Sequence, residues 1–170
     1  MIKTKLVGVA VAALLTASLG ACQKPEAAKP AVDTAKVAEA VKADMADLLV
    51  AFNAKDAAKA VGHDAPDYVG MMHGMANAVG PAGDLEVTKM QLSDPAAKIA
   101  VSDEKVDVAA SGDMAVYRST YAYTYTDPKT KAPATEAGNW VVGYKQVDGA
   151  WKMAWSVASD TSAAAPPAAK

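Results

Sequence analysis

Residues 114–126 read MAVYRSTYAYTYT. Tyrosines at 117, 121, 123 and 125 alternate with Val116, Arg118, Thr120, Ala122 and Thr124. Period-two alternation of tyrosine, threonine and valine belongs to a strand on a half-buried sheet. Upstream, the turn Ser111-Gly112-Asp113 separates this segment from a second alternating run, Ile99 to Ala109. Downstream, the loop Thr126-Asp127-Pro128-Lys129-Thr130 leads into Glu136 to Val147, and the hairpin turn Asp148-Gly149 into Trp151 to Ser159. Strict alternation puts Trp151, Met153, Trp155 and Val157 on one face. Strands at such close intervals, joined by turn residues, predict an antiparallel meander.

The segment before Lys98 has helical periodicity instead. Val37, Val41, Met45, Leu48, Leu49 and Phe52 recur every three or four residues, which predicts an amphipathic helix from about Thr34 to Asn53. Asp56 can cap a short second helix through Val61, ended by Gly62 and Pro66. Tyr68 to Met72 reads as a short strand. Residues 73–83, HGMANAVGPAG, read as an irregular loop, and Asp84 as the cap of a helix over Leu85 to Leu92. Helices first and sheet afterwards give an α+β class.

The N-terminus has a different logic. Lys3 and Lys5 precede an uncharged apolar run from Leu6 to Leu19 that closes on Leu19-Gly20-Ala21-Cys22. This is the order of a secretory leader, and the run is short for a membrane span. The box resembles that of bacterial lipoprotein precursors, which implies a signal peptide over 1–21 and lipidation of Cys22, the only cysteine. A lone thiol in an exported chain cannot form an intrachain disulfide. Gln23 after Cys22 resembles an outer-membrane sorting signal, so the expected location is the periplasmic side of the outer membrane. Residues 22–33 read as a flexible tether and 161–170 as a disordered tail, both rich in alanine and proline. Removing residues 1–21 leaves 149 of the 170, the size of one domain, spanning 34–160. Without Lys3 and Lys5 the net charge falls from −2 to −4, which argues against nucleic acid as a partner.

Four phrases together resemble the SnoaL-like and ketosteroid-isomerase-like domains of the nuclear transport factor 2-like superfamily. They are Ala51-Phe52-Asn53-Ala54-Lys55-Asp56, Ala109-Ala110-Ser111-Gly112-Asp113-Met114-Ala115, Thr126 to Thr130, and Asp148-Gly149-Ala150-Trp151-Lys152. The resemblance covers about residues 37–160. It implies a curved antiparallel sheet of about four to five strands wrapped around about three helices as a cone, a pocket in its mouth, and frequent homodimers. It implies no single activity.

Ketosteroid isomerase uses a carboxylate base with an oxyanion hole of a tyrosine and a protonated aspartic acid. Counted from Asp56, these positions fall near Leu48 for the tyrosine, Met72 for the base and Trp140 to Val142 for the acid, where no such groups occur. Asp64 and Asp67 read as structural or turn acids. Dehydratase chemistry would need a pocket histidine, and His63 and His73 sit beside predicted turns, which suggests exposure. Arg118, the only arginine, lies mid-strand. Alternation alone leaves its face open. The resemblance places the even-numbered face inward, where Arg118 could clamp an anion in bidentate fashion, and the tyrosine row outward as a dimer surface. The expected pocket residues are thus Arg118, Tyr68, Met72, Thr120, Trp140 and Trp155.

Met71-Met72-His73-Gly74-Met75 offers soft ligands for Cu(I), but alternation sends Met71 and Met72 to opposite faces, and the methionines read as core filler. No phosphate loop, zinc spacing or nucleophile elbow is present, so neither metal nor cofactor is expected. A lipid-anchored domain binding a small anionic or apolar ligand ranks first. A small lyase, isomerase or hydrolase ranks second, to be favoured by a pocket carboxylate of strongly raised pKa. An interaction or dimerisation module ranks third.

Overall fold

The computed structural model describes residues 32–161. The leader, Cys22, all but the last residues of the tether, and residues 162–170 lie outside them. The chain runs α1 (Thr34–Asn53), α2 (Ala57–Val61), β1 (Asp64–Met72), β2 (Ala78–Val79), α3 (Gly80–Leu92), β3 (Lys98–Val108), β4 (Met114–Thr126), β5 (Pro133–Val147) and β6 (Ala150–Asp160). Six strands form one mixed sheet in the order β2-β1-β6-β5-β4-β3. β3 to β6 are the expected antiparallel meander, β1 adds parallel to β6, and the two-residue β2 extends the edge inside the segment read as loop.

The phrase 51–56 is legible residue by residue. Phe52 enters the core. Asn53 completes the edge of β3 with its amide, donating to the Ile99 carbonyl and accepting from the Ile99 N–H, both at 2.9 Å. Lys55, at φ 66°, binds the carbonyls of Asp94 and Ala97. Asp56 caps α2 by accepting from the Lys59 N–H at 2.9 Å. One short turn therefore ties the end of α1 to α2 and to the start of β3.

α1 buries Val41, Met45, Leu48, Ala51 and Phe52 against the sheet, where Tyr68, Ala115, Tyr117, Val142, Tyr144 and Met153 complete the core. α3 starts at Gly80, earlier than the sequence suggested, and packs on β1. Pro81 at its first turn suits a helix start that needs no amide donor. Asp84 thus stands inside the helix and is free to face inward.

Bulges decide which side chains face the helices. Ser102 opposes Thr120 and Lys105 opposes Arg118, so Asp103 and Glu104 share one partner on β4, and Asp103 sits at φ 55°. Gly143 opposes Trp155 and Tyr144 opposes Met153, which leaves Ala154 unpaired on β6. Each extra residue bends its strand and reverses the alternation beyond it. Met153 and Ser156 are therefore both buried, whereas Trp155 and Val157 turn to the other face. The one-face reading of Trp151, Met153, Trp155 and Val157 is corrected by that bulge.

Candidate active site: an acidic end in an apolar cavity

A cavity of about 320 Å³ lies between the helices and the sheet. α1 contributes Leu48 and Phe52, β1 Tyr68 and Met72, and β4 Tyr121 and Tyr123. β5 adds Trp140 and Glu136, and β6 adds Met153, Ser156 and Ala158. α3 supplies Asp84, Thr88 and Gln91, and the loop after β1 supplies His73 and Met75. Two glycines make room for the rings. Gly138 faces Tyr121 across the β4–β5 pair, and a Cβ there would meet the Tyr121 ring at 2.6 Å. Gly70 lets the Tyr68 ring lean along β1, and a Cβ there would meet the Tyr68 hydroxyl at 2.9 Å. That hydroxyl lies 2.7 Å from the Ser156 Oγ on β6.

The polar end is a pair of carboxyls. Asp64, at the start of β1, is only 6% exposed, and neither of its oxygens meets a donor group of the protein. The group it interacts with is the Asp84 carboxyl, and two carboxyls can hydrogen-bond only if one keeps its proton. Burial, then the Asp84 charge and its hydrogen bond, push Asp64 up to about 8, against a lowering by Lys152. Burial pushes Asp84 up to about 6, while hydrogen bonds from Asp64 and Thr88 favour its ionised form. Asp64 is therefore the proton holder and Asp84 the acceptor, and near pH 7 the pair carries one negative charge. Burial, and next the Asp84 charge, hold the Tyr68 phenol well above its ordinary range. At the other side of the cavity the Tyr121 hydroxyl donates to Glu136, and His73 Nε2 lies 3.8 Å from Glu136.

The fold matches that of known structures. A ketosteroid isomerase-like protein from Erwinia carotovora atroseptica superposes with a TM-score of 0.64 at 25% identity, over 73% of this chain and 95% of that one. An NTF2-like protein with a cystatin-like fold from Novosphingobium aromaticivorans gives 0.63 at 14% identity, over 75% and 83%. A hexachlorocyclohexane dehydrochlorinase from Novosphingobium barchaimii gives 0.64 at 15%, over 73% and 86%. The chain has the nuclear transport factor 2-like fold. No family model and no curated protein matches it.

Within this NTF2-like cone, the residues expected in the pocket divide evenly. Tyr68, Met72 and Trp140 line the cavity. Arg118 and Thr120 do not, because the odd-numbered face of β4 is the buried one: Ala115, Tyr117, Ser119 and Tyr121 are buried, and Arg118 and Thr120 exposed. Trp155 does not, because the bulge at Ala154 turns it to the other face of β6. Arg118 holds Asp107 of neighbouring β3, with Nη2 at 2.6 Å and Nε at 3.0 Å from one carboxylate oxygen. Trp155 lies over Gly143, where a Cβ would meet its ring at 2.1 Å. Tyr117 and Tyr121 point inward, so the outward tyrosine row expected to form a dimer surface is absent.

His63 also departs from expectation. It is 9% exposed, with Nδ1 2.7 Å from Asp44 of α1, and ties that helix to the segment before β1. Leu48, Met72 and Trp140, which the isomerase count picked out, all face the cavity with apolar side chains. The carboxyl comes instead from α3, and sequence reasoning missed it because Asp84 reads equally well as a helix cap.

Proposed function

We propose that this chain is a lipid-anchored protein of the periplasmic side of the outer membrane whose cone binds a small, largely apolar molecule. The observation that carries the binding reading is the cavity itself, with aromatic and aliphatic walls and a few convergent polar groups in the size range of small-molecule sites. The anionic ligand first envisaged loses its basis, since Arg118 is turned outward and paired. Ala158 lines the cavity and its replacement by tryptophan would fill it. With indole as a neutral probe, NMR shift changes are expected at Phe52, Tyr121 and Trp140 and should vanish in Ala158→Trp. Changes confined to the outer sheet face, or unaltered in the filled variant, would refute the reading. The anchor rests on the box ending at Cys22. Cys22→Ala should abolish incorporation of labelled fatty acid, and equal labelling of the variant would contradict the anchor.

A second reading is favoured by one observation. Asp84 lines the cavity, and burial pushes its pKa up to about 6, which suits a carboxylate that passes protons near neutral pH. A lyase or isomerase step would use ionised Asp84 to take a proton from the carbon beside a carbonyl, the C–H electron pair passing to the carbonyl oxygen as an enolate, while Asp64 keeps its own proton. Ketosteroid isomerase-like and dehydrochlorinase neighbours share the fold. If this holds, wild-type protein in D2O exchanges the α-protons of a small ketone such as 3-pentanone faster than buffer, and Asp84→Asn does not. Equal rates would exclude it.

A further inference from the structure

The charges of the cavity wall are lopsided. Asp84 and Glu136 line it, and among the described residues no lysine or arginine does. Among the described residues His73 is its one ionisable nitrogen, and it stands beside Glu136 and, at 4.0 Å, Asp160. Lys152 on β6 lowers the Asp64 pKa from outside the cavity while its ammonium binds the Gly62 carbonyl, and Lys59 on α2 is held by Asp47 at 2.9 Å. Neither is a cavity-lining cation. The rings of Tyr68, Tyr121, Tyr123 and Trp140 line the same space, and aromatic rings attract cations to their faces. Behind Asp84, the Asp64 carboxyl is buried with both oxygens lacking a donor.

A wall with this chemistry repels carboxylates and phosphates and stabilises an organic cation. We infer that the occupant of the cavity is a small organic ammonium ion, its charge against Asp84 and its apolar part among Tyr68, Tyr121 and Trp140. The inference rests on the cavity being a binding site and names the class of ligand. The titration of the carboxyl pair agrees with it. Asp84 is ionised above about pH 6 and neutral below, so affinity for a permanent cation falls as the pH drops through that value. His73, Glu136, Tyr68, Tyr121 and Tyr123 are the other titratable groups lining this space, and Asp64 meets Asp84 from outside the lining; the Asp84→Asn variant separates Asp84 from them.

The test uses a pair of probes of the same shape, benzyltrimethylammonium and neopentylbenzene, titrated into the full chain by calorimetry. The ammonium keeps its charge at every pH. At pH 8 it should bind about tenfold or more tighter than the neutral isostere, lose most of that preference by pH 5, and show no such preference in Asp84→Asn. Equal binding of the two probes to the wild type overturns the ammonium inference and leaves the cavity reading standing. Binding of neither overturns both. A pH step that persists in Asp84→Asn places the cation elsewhere and also overturns the inference. The ratio of the two probes on the wild-type chain needs no variant, so it decides the matter even if Asp84→Asn fails to fold.

Discussion

Asp64 folds as a carboxylic acid and not as a carboxylate. Its folded-state value, about 8, lies above the ordinary 3.8, so the native state binds the proton more tightly than the unfolded chain does. The stability this gives is complete below about pH 4 and is lost as the pH rises through 8. Asp64→Asn keeps a donor toward Asp84 and has no proton to lose. It should match the wild type at pH 4 and exceed it by about 2 kcal/mol at pH 9, less than the full linkage value because the proton belongs to a coupled pair. Chemical denaturation at the two pH values measures this, and parallel stability profiles would contradict it. Neither acid of the pair was legible as such. Asp64 read as a structural acid and Asp84 as a cap, since a local pattern cannot show that α3 docks on β1 and brings the two together.

At the scale of elements, β4 shows what alternation can and cannot say. Its strand character was plain from the tyrosines and threonines, but both faces carry residues fit for burial, and the inward face was taken to be the even one. The odd face is buried because Tyr117 and Tyr121 pack under the helices and send their hydroxyls to Glu104 and Glu136. In β3 and β6 the bulges at Asp103–Glu104 and Ala154 reverse the alternation partway, and nothing in a period-two pattern marks them. By contrast α1, α2 and the cap of α2 at Asp56 follow directly from apolar spacing and a capping residue, and the structure adds Asp33 as the cap of α1. The outward placement of Arg118 carries its own expectation. Its pair with Asp107 is half exposed, with side chains at 50% and 65%, and such pairs are worth about 0–1 kcal/mol. Arg118→Ala should cost less than about 1 kcal/mol in thermal unfolding and leave indole affinity unchanged. A large loss of affinity would place the arginine in the site after all.

At the largest scale, the described residues form a mixed six-stranded sheet and three helices around an apolar space with an acidic end. The α+β class, the meander and the superfamily were readable because turn chemistry at 111–113, 127–130 and 148–149 punctuates the strands, and because the 51–56 turn has a job for nearly every side chain. The parallel addition of β1 to β6 was not, since it joins residues some ninety positions apart, as in the bond between Tyr68 and Ser156. Ligands are proposed to enter this space with their polar part toward Asp84. The most direct measurement is a crystal structure of the chain soaked with benzyltrimethylammonium. Density is expected inside the cavity, with the trimethylammonium group beside Asp84 and the phenyl ring against Trp140. Density only on the outer sheet face near Arg118, or a cavity left without ligand at saturating concentration, would contradict it.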